Sequence, residues 1–255
     1  MTNALIGFTG FVGSNILSQT KITKLYNSSN IEEIKNKKFD LVLCSGLRAE
    51  KWKANQNPQA DIENIHVLMN SLETVKANKF IHISTVDVYP TPIGVNEDTL
   101  IDSSNLQPYG RHRYLFEEFV RGHFKNVCII RLPGLFGKGI KKNFIYDLIH
   151  NNALDYTHKD SQFQFYDLSR IWHDIQIAIN NHLPLVNIAT PPISAEDLAL
   201  TCFRIRFTNV TDKPPVRYDM HTKYAKLFQS QGNYLYSKRS ILNGVKKFAD
   251  ENFHF

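Results

Sequence analysis

Apolar residues fall along the first half of the chain in short bursts. Residues 4–8, 41–44, 80–83 and 127–130 are rich in β-branched and aromatic side chains, and each run is bounded by Gly, Pro, Ser or a charged residue. Unbroken apolar runs of this length read as strands buried on both faces, the habit of a parallel sheet. A weaker strand falls at 22–26. Between the runs the spacing turns helical over 12–19, 31–37, 62–77 and 109–124, the last with Tyr114, Phe116, Phe119 and Val120 as its apolar face. Strand and helix alternating over short connections predict a doubly wound α/β fold.

After about residue 137 the rhythm changes. Helices are expected at 142–150 and 168–180, a strand at 185–188, a helix capped by Ser194 with Glu196 and Asp197 in its first turn, and a final helix at 238–250. The expected organisation is an α/β domain over 1–137 and a smaller portion over 138–255. Elements of the second part can return to the first, and the second part is expected to pack as a lid.

The 255 residues are 42% hydrophobic and 21% charged, the composition of a globular chain long enough to bury a core without staples. Thirty basic residues against 24 acidic ones leave a formal charge of +6. Its location matters more than its size: ten of the basic residues and only two acids lie between Arg204 and Lys247, which leaves the rest slightly acidic. This asymmetry allows an anionic partner, a nucleic acid or a phosphorylated small molecule, and composition alone does not choose between them. Cys44, Cys128 and Cys202 are odd in number and set among apolar residues, which argues for buried thiols and against disulfides or a zinc cluster. No His spacing suggests a metal site. The N-terminal stretch lacks a basic n-region and a long apolar run, so a cytoplasmic protein without a membrane partner is expected.

The chemistry begins at Gly7-Phe8-Thr9-Gly10-Phe11-Val12-Gly13, between the first strand and the first helix. Glycines three residues apart at that place permit a tight turn, close approach to a pyrophosphate and close helix–strand packing, while the helix N-terminus offers free N–H groups. A glycine turn can also be purely structural, but its place between strand and helix favours a Rossmann-type dinucleotide site, which makes 1–137 the expected dinucleotide-binding domain and 138–255 a small substrate-binding portion. The ribose reader should lie at the end of the second strand, where Asn27 stands in a stretch with neither acid nor arginine. Its amides and hydroxyls suit NAD or NADP, and Lys24 nearby tilts the expectation slightly to NADP.

Three further motifs follow in order: Ser84-Thr85-Val86-Asp87-Val88-Tyr89-Pro90 after a strand, Pro108-Tyr109-Gly110-Arg111-His112-Arg113 opening a helix, and Arg131-Leu132-Pro133-Gly134 closing another strand. With the glycine loop, this set resembles the extended short-chain dehydrogenase/reductase family, in particular its nucleotide-sugar epimerases, dehydratases and 4-keto-reductases. The resemblance covers most of the chain. Ser45, Gly46, Leu47 and Arg48 look like the loop after the family's fourth strand, Asn64 matches the asparagine of its next helix, and Phe165-Tyr166-Asp167-Leu168 resembles a substrate-domain motif.

What the resemblance implies is an NAD(P)-dependent oxidoreductase or epimerase acting on a nucleotide-linked sugar. Tyr109 would exchange a proton with the substrate oxygen, and Thr85 would hold the same oxygen. Gly7, Thr9, Gly10, Phe11, Val12, Gly13, Asn27, Ser45, Gly46, Leu47, Asn64, Tyr109 and Arg113 would bind the cofactor. Arg48, Thr85, Asp87, Gly134 and Lys138 would face the substrate, and a homodimer is possible in such a family. Three positions depart from its pattern. Arg113 stands where the family's Tyr-x-x-x-Lys motif has lysine; it supplies charge and donors but cannot relay a proton. Val86-Asp87 replaces the dehydratases' Asp-Glu pair, which disfavours dehydration. Gly134 replaces an asparagine that contacts the sugar nucleotide. The rival expectation is a dinucleotide-binding regulator or scaffold that keeps the fold and has lost the chemistry.

Overall fold

The computed structural model describes residues 2–252, and the chain divides into two compact units, each built from separate stretches. The first unit runs up to Thr91 and takes in Thr99–Arg131 and Trp172–Val186. The second comprises Pro92–Asp98, Leu132–Ile171 and the chain from Asn187 onward.

The first unit is a six-stranded sheet with flanking helices. Its strands are β1 (Asn3–Ile6), β2 (Lys24–Tyr26), β3 (Lys38–Cys44), β4 (Lys76–Thr85), β5 (Val127–Leu132) and, out of numerical sequence, β9 (Leu185–Asn187), in the order β2-β1-β3-β4-β5-β9. β1 pairs in parallel with β2 and β3, and β3 with β4 in the register Val42↔Phe80. The expected α/β sheet of Rossmann type is the one found. The strand order reverses between β1 and β3, so the crevice at their carboxyl ends is a topological switch point, where open α/β sheets place their ligands. Ala4, Leu5, Val42, Leu43, Cys44, Phe80 and Ile81 are fully buried in this sheet, and the Phe80 ring stacks on Phe124 at 4.2 Å.

The helices are α1 (Phe11–Gln19), α2 (Lys51–Gln56), α3 (Pro58–Leu72), α4 (Pro108–His123) and α6 (Ile171–Asn180). Two expectations are corrected here. The segment 31–37 is not a full helix: only Ile31–Ile34 forms a 3-10 turn, because burial of Ile31 and Ile34 needs one turn and Asn36, at φ 60°, then reverses the chain into β3. The helix expected at 62–77 begins earlier and ends sooner. Asn57 accepts a hydrogen bond from the Ala60 N–H at 3.3 Å and Pro58 occupies the first helical position, a start signal stronger than the apolar spacing, and β4 has already begun at Lys76. α2 was not anticipated, since only Ala54 of its residues is buried and no apolar face marks it.

In the second unit, β6 (Gly134–Phe136) pairs in parallel with β8 (Phe165–Asp167), and β7 (Gln162–Phe163) pairs antiparallel with β10 (Ile193–Ser194). Helices α5 (Phe144–His150), α7 (Ala195–Phe203) and α8 (Lys238–Asn252) complete it, and Ser194 caps α7 as expected, its hydroxyl accepting from the Asp197 N–H at 3.1 Å. The strap 92–98 is held here by Glu97, whose carboxylate accepts from the Asn187 N–H at 2.8 Å and from the Thr222 hydroxyl at 2.6 Å. Buried Gln164 donates to the carbonyls of Met220 (2.8 Å) and Thr190 and accepts from the Met220 N–H at 2.8 Å.

Candidate active site

At the end of β1 the chain turns at Gly7, whose φ of 82° is a left-handed conformation that favours glycine. A Cβ there would stand 2.5 Å from the Ser45 carbonyl oxygen, so the turn lies directly on the end of β3. Gly10 donates to the Gly7 carbonyl at 3.0 Å and serves as the N-cap of α1 without a side-chain cap, and the first turn carries no acid. The first N–H groups of a helix have no intrahelical acceptor. Those of Phe11, Val12 and Gly13 therefore face the switch point, beside exposed Thr9 and Gly10. The donors and the room at the backbone are of the kind a pyrophosphate requires.

The other expected cofactor residues are placed as follows. The Asn27 side-chain oxygen is turned into its own loop, accepting from the Ser29 N–H (2.9 Å) and hydroxyl (2.6 Å). The Ser45 hydroxyl donates to the Ile6 carbonyl at 3.0 Å, Gly46 is exposed, and Leu47 packs against the core. Asn64, exposed on α3, donates to the Ala60 carbonyl of its own helix.

Thr85 ends β4 and Tyr109 sits in the first turn of α4, and the Thr85 hydroxyl lies close enough to the phenol to act on it. The Asp87 N–H donates to the Thr85 oxygen at 3.2 Å. Close contact explains the geometry: a Cβ on Gly110 would fall 2.0 Å from the Asp87 carbonyl oxygen, so α4 lies against the loop after β4 with no space for a side chain at that point. The Tyr109 N–H donates to Asn55 of α2 at 2.9 Å. Burial pushes the phenol above its usual range; the Arg113 and Lys51 charges and the nearby Thr85 hydroxyl pull it down, and Asp87 adds to the rise.

Arg113 is the residue whose setting the sequence leaves open. Its guanidinium lies over the Tyr109 ring at 3.9 Å, forks onto both oxygens of Asp61 on α3 and donates to the Arg48 carbonyl. The side chain is only 3% exposed, and His112 lies 2.8 Å from the same Asp61 carboxylate. Asp61 carries no motif signal, and the pairing spans 52 residues. Arg48, expected at the substrate, meets this cluster through its backbone.

Behind Tyr109, α4 is tied to the sheet by buried polar groups. Glu117 accepts from the Ser84 hydroxyl (2.5 Å) and from Arg131 (3.0 and 2.6 Å), and Arg131 donates to the Tyr89 hydroxyl at 2.7 Å. Burial alone would raise the Glu117 carboxyl, but the hydrogen bonds and charge of Arg131 and the Ser84 hydroxyl bring it below its ordinary value. Ser84, Tyr89 and Arg131 lie within the quoted motifs, yet only the fold shows that with Glu117 they form one network.

Asp87 pairs with Lys51 at 2.7 Å. Gly134 and Lys138 belong to the second unit. At Gly134 a Cβ would lie 2.8 Å from the Gln164 carbonyl oxygen, so the β6/β8 spacing has no room for an asparagine. Lys138 is exposed. Burial pushes the thiols of Cys44, Cys128 and Cys202 up to about 12. Among the described residues no group of His, Cys, Asp and Glu could hold a metal ion, and no helix is long and apolar enough to cross a membrane.

These features together are those of a dinucleotide fold carrying a Thr/Tyr pair, and comparison with known proteins places the chain in a family. The sequence profile of the NAD dependent epimerase/dehydratase family matches residues 19–162, more than half of the chain, and the protein belongs to that family. No curated protein matches the sequence. Among solved structures it is similar to dTDP-4-dehydrorhamnose reductase from Bacillus anthracis in complex with NADP, with a TM-score of 0.74, 17% identity and coverage of 99% of this chain and 100% of the other. UDP-glucose 4-epimerase from Thermotoga maritima with UDP-glucose gives 0.71 at 16% identity, covering 98% of each chain. An NAD-dependent NDP-hexosamine 5,6-dehydratase involved in tunicamycin biosynthesis gives 0.74 at 15% identity, covering 98% of this chain and 97% of the other. At such identities the likeness speaks for the shared fold.

Proposed function

We propose that the protein is an NAD(P)-dependent reductase or epimerase acting on a nucleotide-linked sugar. The observation that carries this reading is the convergence of Thr85, at the carboxyl end of β4, and Tyr109, in the first turn of α4, on the sheet that also carries the glycine turn. The N-terminus of α1 would hold the pyrophosphate, and Gly7 keeps that turn open to it. A nicotinamide bound there supplies or accepts a hydride. Tyr109 would give a proton to a keto oxygen or take one from a hydroxyl, and Thr85 would hold that oxygen at the phenol. Arg113 would steady the ring from the face it stacks on. The single carboxylate at Asp87, already paired with Lys51, disfavours the two-carboxylate acid/base work of a dehydratase. An anionic nucleotide sugar also suits the basic stretch 204–247.

The test is turnover of a panel of keto-sugar and hydroxy-sugar nucleotides by purified protein with NADH, NADPH, NAD or NADP, wild type against Tyr109→Phe. Loss of the phenol proton should cost about 100- to 10,000-fold in kcat. Equal turnover in both removes the mechanism. The guanidinium committed to Asp61 favours a second reading, a dinucleotide-binding regulator without turnover. That reading predicts cofactor binding by calorimetry with no reaction on any member of the panel.

A further inference from the structure

A cleft of about 410 Å³ opens within the second unit, between α8 and the turn that follows β8. That volume falls among small-molecule sites, which span about 300–1,000 Å³. Its walls are Asp167 at the end of β8, Ser169 and Arg170 of the 3-10 turn Leu168–Arg170, and Ser240, Asn243, Gly244 and Lys247 of α8. The four from α8 share one helix face by their spacing of three, one and three residues, while Ile241, Val245 and Ala249 bury the opposite side and fix the wall. None of the residues expected at the cofactor or the substrate lines this cleft.

The cleft holds a cation without a counter-ion. Arg170 is half-buried, with its guanidinium 4.4 Å from the centre of the Tyr236 ring and a hydrogen bond to the Ser240 hydroxyl at 3.3 Å; among the described residues no carboxylate pairs with it. Asp167, three residues back, accepts from the Ser169 N–H at 2.8 Å through Oδ1. A Cβ at Gly244 would stand 3.4 Å from its other oxygen, so the glycine leaves Oδ2 uncovered. Lys247 brings a second cation, 3.6 Å from Glu251 in an exposed pair of the kind that contributes little. Withdrawing a charge from water costs free energy unless a partner offsets it, so a guanidinium fixed on a ring face and left unpaired points to an anion supplied from outside.

We propose that this cleft is a second ligand site and takes a sugar phosphate, with the phosphate on Arg170 and Lys247 and the sugar hydroxyls on Asp167, Ser169 and Asn243. The chemistry of the walls selects that class. Two cations against one carboxylate suit a phosphate, to which arginine offers paired N–H donors. The carboxylate repels a bare phosphate but accepts hydrogen bonds from sugar hydroxyls. Every lining side chain is polar, Gly244 apart, and the Tyr236 ring lies under Arg170, so a nucleobase finds no stacking platform. The site uses neither Tyr109 nor Thr85 and stands apart from the proposed function.

The experiment is a calorimetric titration of the full chain with glucose 6-phosphate, and in parallel with inorganic phosphate, gluconate and UMP. Glucose 6-phosphate should bind saturably and more tightly than the other three. Arg170→Gln should weaken it about tenfold or more, because charge-assisted hydrogen bonds to the phosphate are lost. Asn243→Trp keeps both cations and fills the cleft from the exposed face of α8; it should abolish binding, and it carries the test if Arg170→Gln does not fold. No saturable binding of glucose 6-phosphate overturns the proposal. So does binding that these variants leave unchanged, since the phosphate then sits elsewhere, as at the start of α1. Inorganic phosphate, gluconate or UMP binding as tightly as glucose 6-phosphate overturns the assignment of a sugar phosphate.

Discussion

Tyr109 meets three different elements: its N–H donates to Asn55, its phenol lies near Thr85 and its ring face takes Arg113. The third contact depends on Asp61, because a guanidinium is kept in one orientation by a carboxylate that fits its fork. Removing one partner of a buried pair leaves the other charged and unpaired. Asp61→Ala should therefore destabilise the protein by about 3 kcal/mol in urea unfolding, well beyond the effect of trimming an exposed acid. Arg113→Lys should recover little in an Asp61-intact chain, since one ammonium cannot span both oxygens and the Arg48 carbonyl. At this scale the sequence was legible where chemistry is local. The glycine turn, Thr85 and Tyr109 stand in short motifs, whereas Asp61, Asn55 and Lys51 reach the site only through tertiary packing and carry no local mark.

The elements meet with little slack. Gly110 sets how closely α4 approaches the loop after β4, and the 2.0 Å separation at its missing Cβ leaves no rotamer to relieve a methyl group. Gly110→Ala gains helix propensity, yet overpacking against backbone outweighs it. The expected result is a net loss of about 2 kcal/mol in chemical unfolding, together with weaker protection of the Tyr109 N–H in hydrogen exchange. The central strands β1, β3, β4 and β5 were easy to read because each carries a dense apolar run, and Ser194 announced α7, whereas β6, β7, β8 and β10, two or three residues each, carry no such run and were not anticipated. Helix limits were harder. Ile31 and Ile34 have the spacing of a helix and of a single 3-10 turn alike, and Lys51–Gln56 buries only Ala54, so neither periodicity nor composition distinguishes it from a loop. The start of α3 was available in Asn57-Pro58, a capping signal that outranked the apolar spacing downstream.

For the molecule as a whole, acid should be more damaging than its surface charge suggests. His82 on β4 is fully buried against the Phe116 ring, neither ring nitrogen makes a hydrogen bond, and burial lowers it from 6.5 to about 4 despite the opposing pull of Glu117 and the Cys44 backbone. Unfolded chains take up this proton as pH falls below 6.5 while the folded one resists until about 4, so stability rises with pH across that window. Glu117 acts later: its depressed carboxyl stabilises the fold above its ordinary 4.5 and that contribution is lost only as pH falls through its lower folded value. Between pH 7 and about pH 5 the wild type should lose about 2 kcal/mol more than His82→Leu, measured as paired urea curves. An equal loss in both would place the acid sensitivity elsewhere.

The division of the chain has a further consequence, for the order of synthesis. The first unit is interrupted twice, and its last stretch, Trp172–Val186, brings α6 and most of the edge strand β9, with the Ile129 N–H donating to the Pro184 carbonyl at 3.0 Å. A nascent chain emerging from the ribosome thus cannot finish its first unit before residue 186 is out, although the glycine turn, Thr85 and Tyr109 have long since appeared. Until then β5 presents an unpaired edge, and a fragment ending at Arg131 would keep that edge permanently.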